Sequence, residues 1–377
     1  MIYKRLIKPI LFKTNPEKIH NLALIMGTIL SKSKVIRYFL KKSFLYKNKT
    51  LEQEILKIRF RNPVGLAAGF DKDAKLIELL PSLGFGFTEV GSITNKPCQG
   101  NPKPRLFRLP KEKSIIINYG LCNQGAEILH TKLKNKDLEI PLGINIARTN
   151  SQMSKEQAID DFVSGFQKLK DLGDYLVINA SCPNTFDDID FCEINTLKTL
   201  LKEINKENIS KPVFLKIKPD LTLDHVDKIL EISNEYHFIK GFIISNLTKD
   251  RTNLKTPKKE IDAISLKGGL SGPPVKEKSN KLIKYVYKKT KGKYTIVGCG
   301  GIFNAEDAYQ KIKAGASLVQ LITGMIYEGP SLIKKINKDL TKLLEKDNYT
   351  NIKQAIGVDI KWIDQLNIIY ILSFTIY

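Results

Sequence analysis

A candidate chemical group lies in the segment 179–185, which reads Asn-Ala-Ser-Cys-Pro-Asn-Thr. The segment follows an apolar run at 175–178 that predicts a buried strand, and a polar cluster around a proline predicts a loop at the strand's end. Cys182 stands in this loop between two amides, Asn179 and Asn184. A thiol in such a loop can accept a proton or attack carbon. The simpler interpretation, a small buried cysteine in a turn, would hold if the chain supplied no site around it.

Small and polar residues also follow other apolar runs. The first run leads into Gly65-Leu-Ala-Ala-Gly-Phe-Asp-Lys72, where small residues let a flat ligand approach the backbone. Lys72 is then a cation beside that ligand or a surface lysine at a helix start. Lys216 lies inside an apolar strand, so it either faces an anion or reaches water from an edge strand. Gly298-Cys-Gly-Gly301 and Thr323-Gly324 follow the last two runs, and backbone N–H groups there indicate a phosphate-bearing cofactor.

Eight apolar runs with strand character alternate with helical patterns. The predicted strands are Val64–Ala68, Phe85–Val90, Leu142–Ile146, Tyr175–Asn179, Val213–Ile217, Gly241–Ser245, Thr295–Gly298 and Leu318–Leu321. The predicted helices lie near 73–82, 122–134, 155–171, 193–207, 222–237, 275–291, 304–314 and 331–345. This alternation predicts a (β/α)8 TIM barrel, in which chemistry belongs at the carboxyl ends of strands. A doubly wound sheet is the alternative, but no Gly-x-Gly-x-x-Gly follows the first strand.

The first 50 residues are predicted to form a separate helical extension. Asn15-Pro16-Glu17 is typical of a helix start, and a second short helix follows a Ser/Lys break. The apolar residues at helical spacing are Leu22, Ile25, Met26, Ile29, Val35, Ile36, Phe39 and Leu40. The basic residues around the second helix are Lys32, Lys34, Arg37, Lys41 and Lys42. Periodicity alone leaves two interpretations open: a helix pair on a membrane surface, or a helical cap packed on the main domain.

Composition limits the class of protein. The 377 residues carry a formal net charge of +22, but the lysines are spread along the chain and no nucleic-acid-binding signature accompanies them. We therefore expect biased surface composition and no nucleic-acid partner. The five cysteines are odd in number and form no Cys-x-x-Cys, which favours a reducing compartment and argues against disulfides or a metal centre. No apolar run approaches the roughly 20 residues of a membrane-spanning helix, and the N-terminus lacks a signal-peptide pattern.

Together these stretches resemble one family, the dihydroorotate dehydrogenases. The matching stretches, in the family's order, are Asn62-Pro-Val-Gly-Leu-Ala-Ala-Gly-Phe-Asp-Lys72, Gly84-Phe-Gly-Phe87, Glu89-Val-Gly91, Asn101-Pro-Lys-Pro-Arg-Leu-Phe-Arg-Leu109, Gly143-Ile-Asn-Ile146, Gly268-Gly-Leu-Ser-Gly272, Gly298-Cys-Gly-Gly301 and Gly315-Ala-Ser-Leu-Val-Gln320. The segment with Phe12, Asn15-Pro-Glu17 and His20, and the Pro104–Leu109 stretch, resemble class 2, the membrane-associated, quinone-reducing branch. This favours a membrane-facing role for residues 1–50.

The resemblance implies FMN-dependent oxidation of dihydroorotate to orotate in pyrimidine synthesis, with a hydride passing to FMN and a proton to Cys182. Lys216 would stabilise the negative charge of reduced flavin. The implied substrate-binding residues are Lys72, Asn118, Tyr119, Gly120, Leu121, Asn179, Asn184, Asn246 and Leu247. The implied FMN-binding residues are Ala68, Gly69, Phe70, Asp71, Lys72, Ser92, Asn145, Asn179, Lys216, Ser245, Gly272, Gly301, Ile322 and Thr323. The electrons would pass to a membrane quinone near His20 and Arg105.

Several residues depart from the class 2 pattern. Cys182 replaces the usual Ser base, and because a free thiol has a pKa of about 8.5, we expect activity with a different pH profile. An ungapped match places Ile117 at the position of a substrate-binding Asn in the family. Asn118, one residue further along the chain, is the candidate substitute for it. Leu247 stands where the class 2 pattern has a Thr, and Ile322 stands where a Tyr is common. The stretch Phe186-Asp-Asp-Ile189 replaces the usual Pro-Gly-Leu-Arg.

These inferences predict three parts: a helical, quinone-facing extension at 1–50, an FMN-binding barrel at 51–360, and an apolar tail at 361–377. The tail is a further membrane contact, a strand on the barrel or a non-native terminus. We expect a monomer or weak dimer, peripheral to the cytoplasmic side of the cell membrane. The alternatives are a soluble acceptor such as fumarate, which Cys182 favours, another dihydropyrimidine substrate, or a basic barrel that has lost its chemistry.

Overall fold

The computed structural model describes residues 3–181, 189–264 and 268–360. Its strands are β1 (Gln53–Ile55), β2 (Ile58–Phe60), β3 (Val64–Leu66), β4 (Phe87–Ile93), β5 (Leu106–Leu109), β6 (Ser114–Ile117), β7 (Leu142–Ile146), β8 (Tyr175–Asn179), β9 (Val213–Ile217), β10 (Ile239–Ile244), β11 (Gly269–Leu270), β12 (Thr295–Cys299) and β13 (Leu318–Leu321). Its helices are α1 (Lys8–Phe12), α2 (Pro16–Lys32), α3 (Lys34–Phe44), α4 (Ala126–Leu133), α5 (Lys155–Leu169), α6 (Ile194–Ile204), α7 (Leu223–Asn234), α8 (Lys258–Asp262), α9 (Lys276–Lys289), α10 (Ala305–Lys313), α11 (Thr323–Glu328) and α12 (Leu332–Lys346).

Eight parallel strands close into a barrel. Their order is β3, β4, β7, β8, β9, β10, β12 and β13, and β13 pairs back onto β3. The strands read as nearly continuous apolar runs because helices cover the barrel outside and side chains fill it inside. The predicted (β/α)8 barrel and its eight predicted strands are confirmed.

Seven of the eight predicted barrel helices are present, but the prediction of a helix near 73–82 is wrong. This segment, all of it described, forms turns and a 3-10 helix at Leu80–Leu83. Ala74 has φ 54°, which lies outside the right-handed helical region. The Asp71 carboxylate accepts hydrogen bonds from the N–H groups of Lys75 and Leu76, both at 2.7 Å. Apolar spacing predicted a helix here, but this buried aspartate fixes a turn instead.

The barrel interior has an apolar lower layer and a polar upper layer. Phe87, Tyr175 and Phe214 fill the lower layer, and Phe60 from the β1–β2 hairpin packs beneath them. Side chains two residues apart point to the same side of a strand. Glu89 and Lys216, two residues beyond Phe87 and Phe214, therefore project inward near the carboxyl ends. The alternation places polar groups under the end of the barrel where chemistry is expected.

Two structures cover this end of the barrel. One is the antiparallel sheet β5–β6–β11. The other is the N-terminal helical segment, in which the Asn15 side chain caps α2 by accepting from the N–H groups of Glu17 and Lys18. A Cβ on Gly27 would lie 2.4 Å from Leu76 Cδ2, so the glycine lets α2 pack closely on the barrel. No helix in the described ranges is long and apolar enough to cross a membrane.

Candidate active site

A cavity of about 420 Å³ connects the carboxyl ends of the barrel strands with the inner face of α2. At the barrel it is lined by polar side chains and glycines from the strand ends, including Ser92, Asn179 and Lys216. Towards α2 the lining becomes apolar, with Ile19, Ala23 and neighbouring leucines. One continuous space therefore offers hydrogen bonds at one end and apolar surface at the other.

Most of the residues expected to hold FMN line this cavity. They are Ala68, Gly69, Phe70, Lys72, Ser92, Asn179, Lys216, Ser245, Gly272, Gly301, Ile322 and Thr323. Asn145 lies below the surface, where its amide bonds Ser92 and Glu89. Asp71 is not part of the cavity lining, and its carboxylate accepts hydrogen bonds from the N–H groups of Lys75 and Leu76. The Asp71 carboxylate is thus engaged with the backbone of its own turn.

Glycines in the left-handed region form a cradle in the cavity wall. Gly272, Gly300 and Gly301 have φ of 85°, 112° and 72°, and a Cβ on Gly301 would lie 2.5 Å from the Lys276 Cβ. Thr323 begins α11 beside them, and its Oγ1 donates to Ser271 Oγ at 2.8 Å. Backbone N–H groups of glycines in a cavity wall, together with a hydroxyl, suit a phosphate. Together with Lys216 and the wall at Gly69, the residues present fit a flat cofactor that carries a phosphate.

Beneath the cavity floor lies a buried ion pair. Lys216 Nζ is 3.6 Å from Glu89 Oε1, so the lysine inside the apolar strand does face an anion, and that anion belongs to the protein. Glu89 is fully buried and also accepts from Gln320 Nε2 at 2.7 Å. Sequence reasoning missed both Glu89 and Gln320 as site residues. The available signal was an acid within an apolar strand, where an unpaired charge is costly.

The residues expected to hold substrate divide into three groups. Lys72, Tyr119, Leu121, Asn179, Asn246 and Leu247 line the cavity. Asn118 and Gly120 are not part of its lining. The Asn118 Oδ1 accepts from Asn101 Nδ2 at 2.8 Å, and Gly120 lies against Asn101. Cys182 and Asn184 lie outside the described residues.

Lys72 and Tyr119 form the side wall next to α2. Lys72 Nζ lies 3.8 Å from the centre of the Tyr119 ring, a cation–π contact. Burial lowers the pKa of Lys72 to about 8, although Cys122 and Asp73 act in the opposite direction. Lys72 is thus cationic at neutral pH and can attract a carboxylate.

His20 and Arg105, the expected quinone residues, have different environments. The His20 ring packs edge-on to Phe70 with ring centres 4.8 Å apart, and its buried Nε2 has no hydrogen-bond partner. Burial, with the charges of Lys72 and Lys75, lowers its pKa to about 3. Arg105 does not line the cavity, because its guanidinium binds the Glu17 carboxylate with Nη2–Oε1 at 2.8 Å.

The nearby Arg108 differs from Arg105 in its surroundings. It lines the cavity, its Nη1 donates to the Thr14 carbonyl at 2.7 Å, and its Cζ lies 4.5 Å from the centre of the Phe12 ring. Leu106 and Arg108 are two residues apart in β5 and share its cavity side, whereas Arg105 precedes the strand. Among the described residues, no cluster of His, Cys, Asp and Glu could hold a metal ion.

Comparisons with known proteins agree with this geometry. The sequence model of the family described as dihydroorotate dehydrogenase matches residues 50–344. A dihydroorotate dehydrogenase (quinone) of Christiangramia forsetii is 44% identical and aligns over 92% of this chain and 99% of its own. One from Sulfurimonas denitrificans is 43% identical over 96% of this chain and 100% of its own. The crystal structure of an Eimeria tenella DHODH in complex with ferulenol is 31% identical, with a TM-score of 0.78 over 92% of this chain and 96% of that one.

Proposed function

This chain belongs to the dihydroorotate dehydrogenase family, in its quinone-linked branch, and we propose that the cavity under α2 is where its reaction takes place. The enzyme oxidises dihydroorotate to orotate in pyrimidine biosynthesis, with FMN as cofactor and a quinone as electron acceptor. The observation that supports this assignment is that a single cavity runs from the strand ends to α2. Groups for an anionic substrate and a flavin lie at the barrel end of the same cavity that becomes apolar at α2.

At the barrel end, we assign substrate binding to Lys72, Asn179 and Asn246. Lys72 supplies a positive charge for the orotate carboxylate, and the two amides supply donors and acceptors for the ring. Bound FMN supplies the hydride acceptor, and Lys216 places a positive charge where reduction creates a negative one. Cys182, three positions after Asn179, receives the proton as its thiolate, because a thiol titrates near operating pH.

At the α2 end, we assign quinone binding to His20 and Arg108. Arg108 presents a guanidinium in an otherwise apolar passage, where it can donate to a carbonyl oxygen. His20 stays neutral, and its unpartnered Nε2 is available for one hydrogen bond. The apolar passage and the quinone-linked relatives favour a quinone over a soluble acceptor.

We further propose that α1–α3 bind the membrane surface from which the quinone enters. These helices and the residues just before α1 expose large apolar side chains: Leu6, Ile7, Ile10, Leu22, Ile25, Met26, Ile29, Val35, Ile36, Tyr38 and Phe39. Lysines and arginines flank them, which suits anionic lipid headgroups. The predicted extension at 1–50 is therefore the docking element of a protein peripheral to the cytoplasmic side of the cell membrane, where cysteines stay reduced. We expect a monomer or weak dimer, because one chain forms the cavity.

Vesicle sedimentation tests the membrane proposal. Phe39→Glu should reduce binding to vesicles containing anionic lipid, whereas Leu223→Glu, at an exposed leucine on a barrel helix, should not. Equal binding of the two variants and the unaltered protein would place the membrane contact elsewhere.

Anaerobic mixing of the purified protein with dihydroorotate tests the reaction. Rapid loss of flavin absorbance is expected, followed by its return when a short-chain quinone is added. A flavin that dihydroorotate does not bleach would contradict the substrate assignment. A bleached flavin that fumarate reoxidises faster than quinone would contradict the acceptor.

A further inference from the structure

A hydrogen-bonded chain of four side chains crosses the barrel mouth and ends on Glu89. Asn246 Nδ2 donates to Asn179 Oδ1 at 3.3 Å, and Asn179 Nδ2 donates to Ser92 Oγ at 2.7 Å. Ser92 Oγ donates to Asn145 Oδ1 in a short contact, and Asn145 Nδ2 donates to Glu89 Oε1 at 2.7 Å. Every donor in the chain therefore points towards one buried carboxylate.

The direction of this chain follows from the chemistry of Glu89. An ionised carboxylate can only accept hydrogen bonds, so Asn145 must turn its NH2 group towards Glu89 and its carbonyl oxygen towards Ser92. Ser92 must then donate to that oxygen and accept from Asn179. As a result, Asn179 has its carbonyl oxygen on the side of Asn246. A fixed charge thus favours one orientation of the Asn179 amide, whose Oδ1 also accepts from the Ser181 N–H at 3.3 Å. Asn246 Nδ2 is held in addition by the Ser181 carbonyl and hydroxyl oxygens, both at 3.0 Å.

Glu89 acts on the cavity by a second route, through charge. Its Oε1 lies 3.6 Å from Lys216 Nζ, and both groups are buried, with Lys216 5% exposed. Opposite charges at this distance interact strongly where water is excluded. Glu89 therefore offsets much of the positive charge that Lys216 presents at the cavity floor.

We propose that Glu89 is a positioning residue with two separable effects, one on the orientation of the substrate-binding amides and one on the reduction equilibrium of the flavin. The inference rests on the proposed function of this cavity. Glu89 does not line the cavity, so both effects pass through other residues. The amide effect passes through Asn145 and Ser92, and the charge effect passes through Lys216.

Three variants separate the effects. Glu89→Gln keeps the shape and removes the charge, so Lys216 is no longer offset and reduced flavin is favoured. The ratio of reduced to oxidised flavin at a fixed potential should rise about tenfold, which is about 30 mV for a two-electron couple. Glu89→Asp keeps the charge and should stay close to the unaltered protein. Ser92→Ala interrupts the chain without changing the charge, so orotate should dissociate about tenfold more readily. Because Ser92 also lines the cavity, the effect on the flavin equilibrium is read from the two Glu89 variants alone.

The measurements are dye-equilibrated reduction of the flavin without substrate, and orotate titration followed by the flavin spectrum. Asp161→Asn is the matched control, because Asp161 is a buried carboxylate that accepts from the Thr149 N–H and does not line the cavity. Both quantities should be unchanged in this variant.

Each result decides a part of the inference. Equal shifts in Glu89→Gln and Glu89→Asp would show a packing role and overturn the charge effect. Orotate affinity within twofold of the unaltered protein in Ser92→Ala would overturn the amide effect. If the unaltered protein itself failed to bind orotate, the proposed function would fail, whereas loss of these differences in an orotate-binding protein contradicts only this inference.

Discussion

Arg105 and Glu17 form a buried ion pair that joins the barrel cap to the first turn of α2. Arg105 Nη2 lies 2.8 Å from Glu17 Oε1, and the residues are 6% and 7% exposed. Nη1 of the same guanidinium donates to the carbonyls of Gln99 and Asn101 at 2.8 and 3.1 Å. The pair therefore holds the first turn of α2 in position over the barrel. It thereby positions one wall of the proposed quinone passage.

Glu17→Gln should lower the free energy of unfolding by about 3 kcal/mol, because it leaves a buried guanidinium without its counter-charge. Quinone turnover should fall more than flavin bleaching by dihydroorotate, since α2 borders only the apolar end of the cavity. Denaturant unfolding and the two half-reactions measure this. Glu139→Gln is the control, because Glu139 joins Lys41 and Arg61 at the surface and should cost less than about 1 kcal/mol. Equal losses in the two variants would contradict the role given to Glu17.

His20 should make the fold sensitive to acid. Its pKa is lowered from 6.5 to about 3, so the unfolded chain binds a proton that the folded chain does not, and stability falls as the pH drops from about 6.5 towards 3. At pH 5 this amounts to about 2 kcal/mol. Urea unfolding at pH 7 and pH 5 should show a smaller loss in His20→Gln. His237→Gln, at an exposed histidine, should behave like the unaltered protein, and an unchanged pH dependence in His20→Gln would contradict a neutral His20.

Lys72 should make orotate binding sensitive to base. Because burial lowers its pKa to about 8, the cation is present below that pH and is lost above it. Orotate affinity should be constant from pH 6.5 to 7.5 and should fall by up to tenfold per unit above about pH 8. Titrations followed by the flavin spectrum measure product binding and so avoid the protonation steps of turnover. Lys72→Arg should keep its affinity to higher pH, and the same decline in this variant would assign the titration to another group.

Cys182 should decide the rate of flavin bleaching. Cys182→Ala should slow it by about 10² to 10⁴, the usual contribution of a positioned general base. Cys182→Ser should be intermediate and should lose the rise in rate that a thiol pKa of about 8.5 confers as pH increases. Stopped-flow absorbance across pH 6 to 9 measures both. Cys192→Ala, at a buried cysteine outside the cavity, is the control, and an unchanged rate in Cys182→Ala would remove Cys182 from the reaction.

The barrel and the ring of residues at its mouth were predictable from sequence. Buried parallel strands appear as short apolar runs, and chemistry at their carboxyl ends places Ser92, Asn179 and Asn246 together without further information. Lys216 was also predictable as facing an anion, since an apolar strand does not tolerate a free charge. The identity of that anion, Glu89, was harder to predict. It depends on which residues of β4 and β9 project into the same layer of the barrel, and the sequence alone does not give this register.

Residues placed by packing between distant segments were not predictable. Arg105 and Arg108 are equally basic and three residues apart, and only the position of α2 shows that Glu17 binds one and leaves the other on the cavity. The use of the Asp71 carboxylate by two N–H groups of the turn at 71–76 was likewise not predicted. The segment 73–82 was wrongly predicted as a helix because its apolar residues recur at helical spacing. They pack against α2, but they do so from turns and a 3-10 helix.

Ile117 should set how tightly orotate binds. In the capping sheet Ile117 is opposite Leu106 and Gly269, and residues directly opposite one another share a face. A Cβ on Gly269 would lie 2.3 Å from the Leu247 Cβ, so Leu247 covers the glycine beside Ile117. Ile117 and Leu247 both line the cavity, and together they make an apolar wall at positions where the family resemblance implies an Asn and a Thr.

Ile117→Asn should therefore lower the dissociation constant of orotate about tenfold, because the new amide gains a hydrogen-bonding partner in the ligand. It should also lower the stability of the protein without ligand by about 1 to 3 kcal/mol, since the amide is then unpaired. Orotate titration and thermal unfolding with and without orotate measure the two effects together. Ile117→Val keeps the wall apolar and should leave orotate affinity within twofold. Weaker binding by Ile117→Asn would show that this wall faces the flavin or the quinone passage and that the substrate lies against other residues.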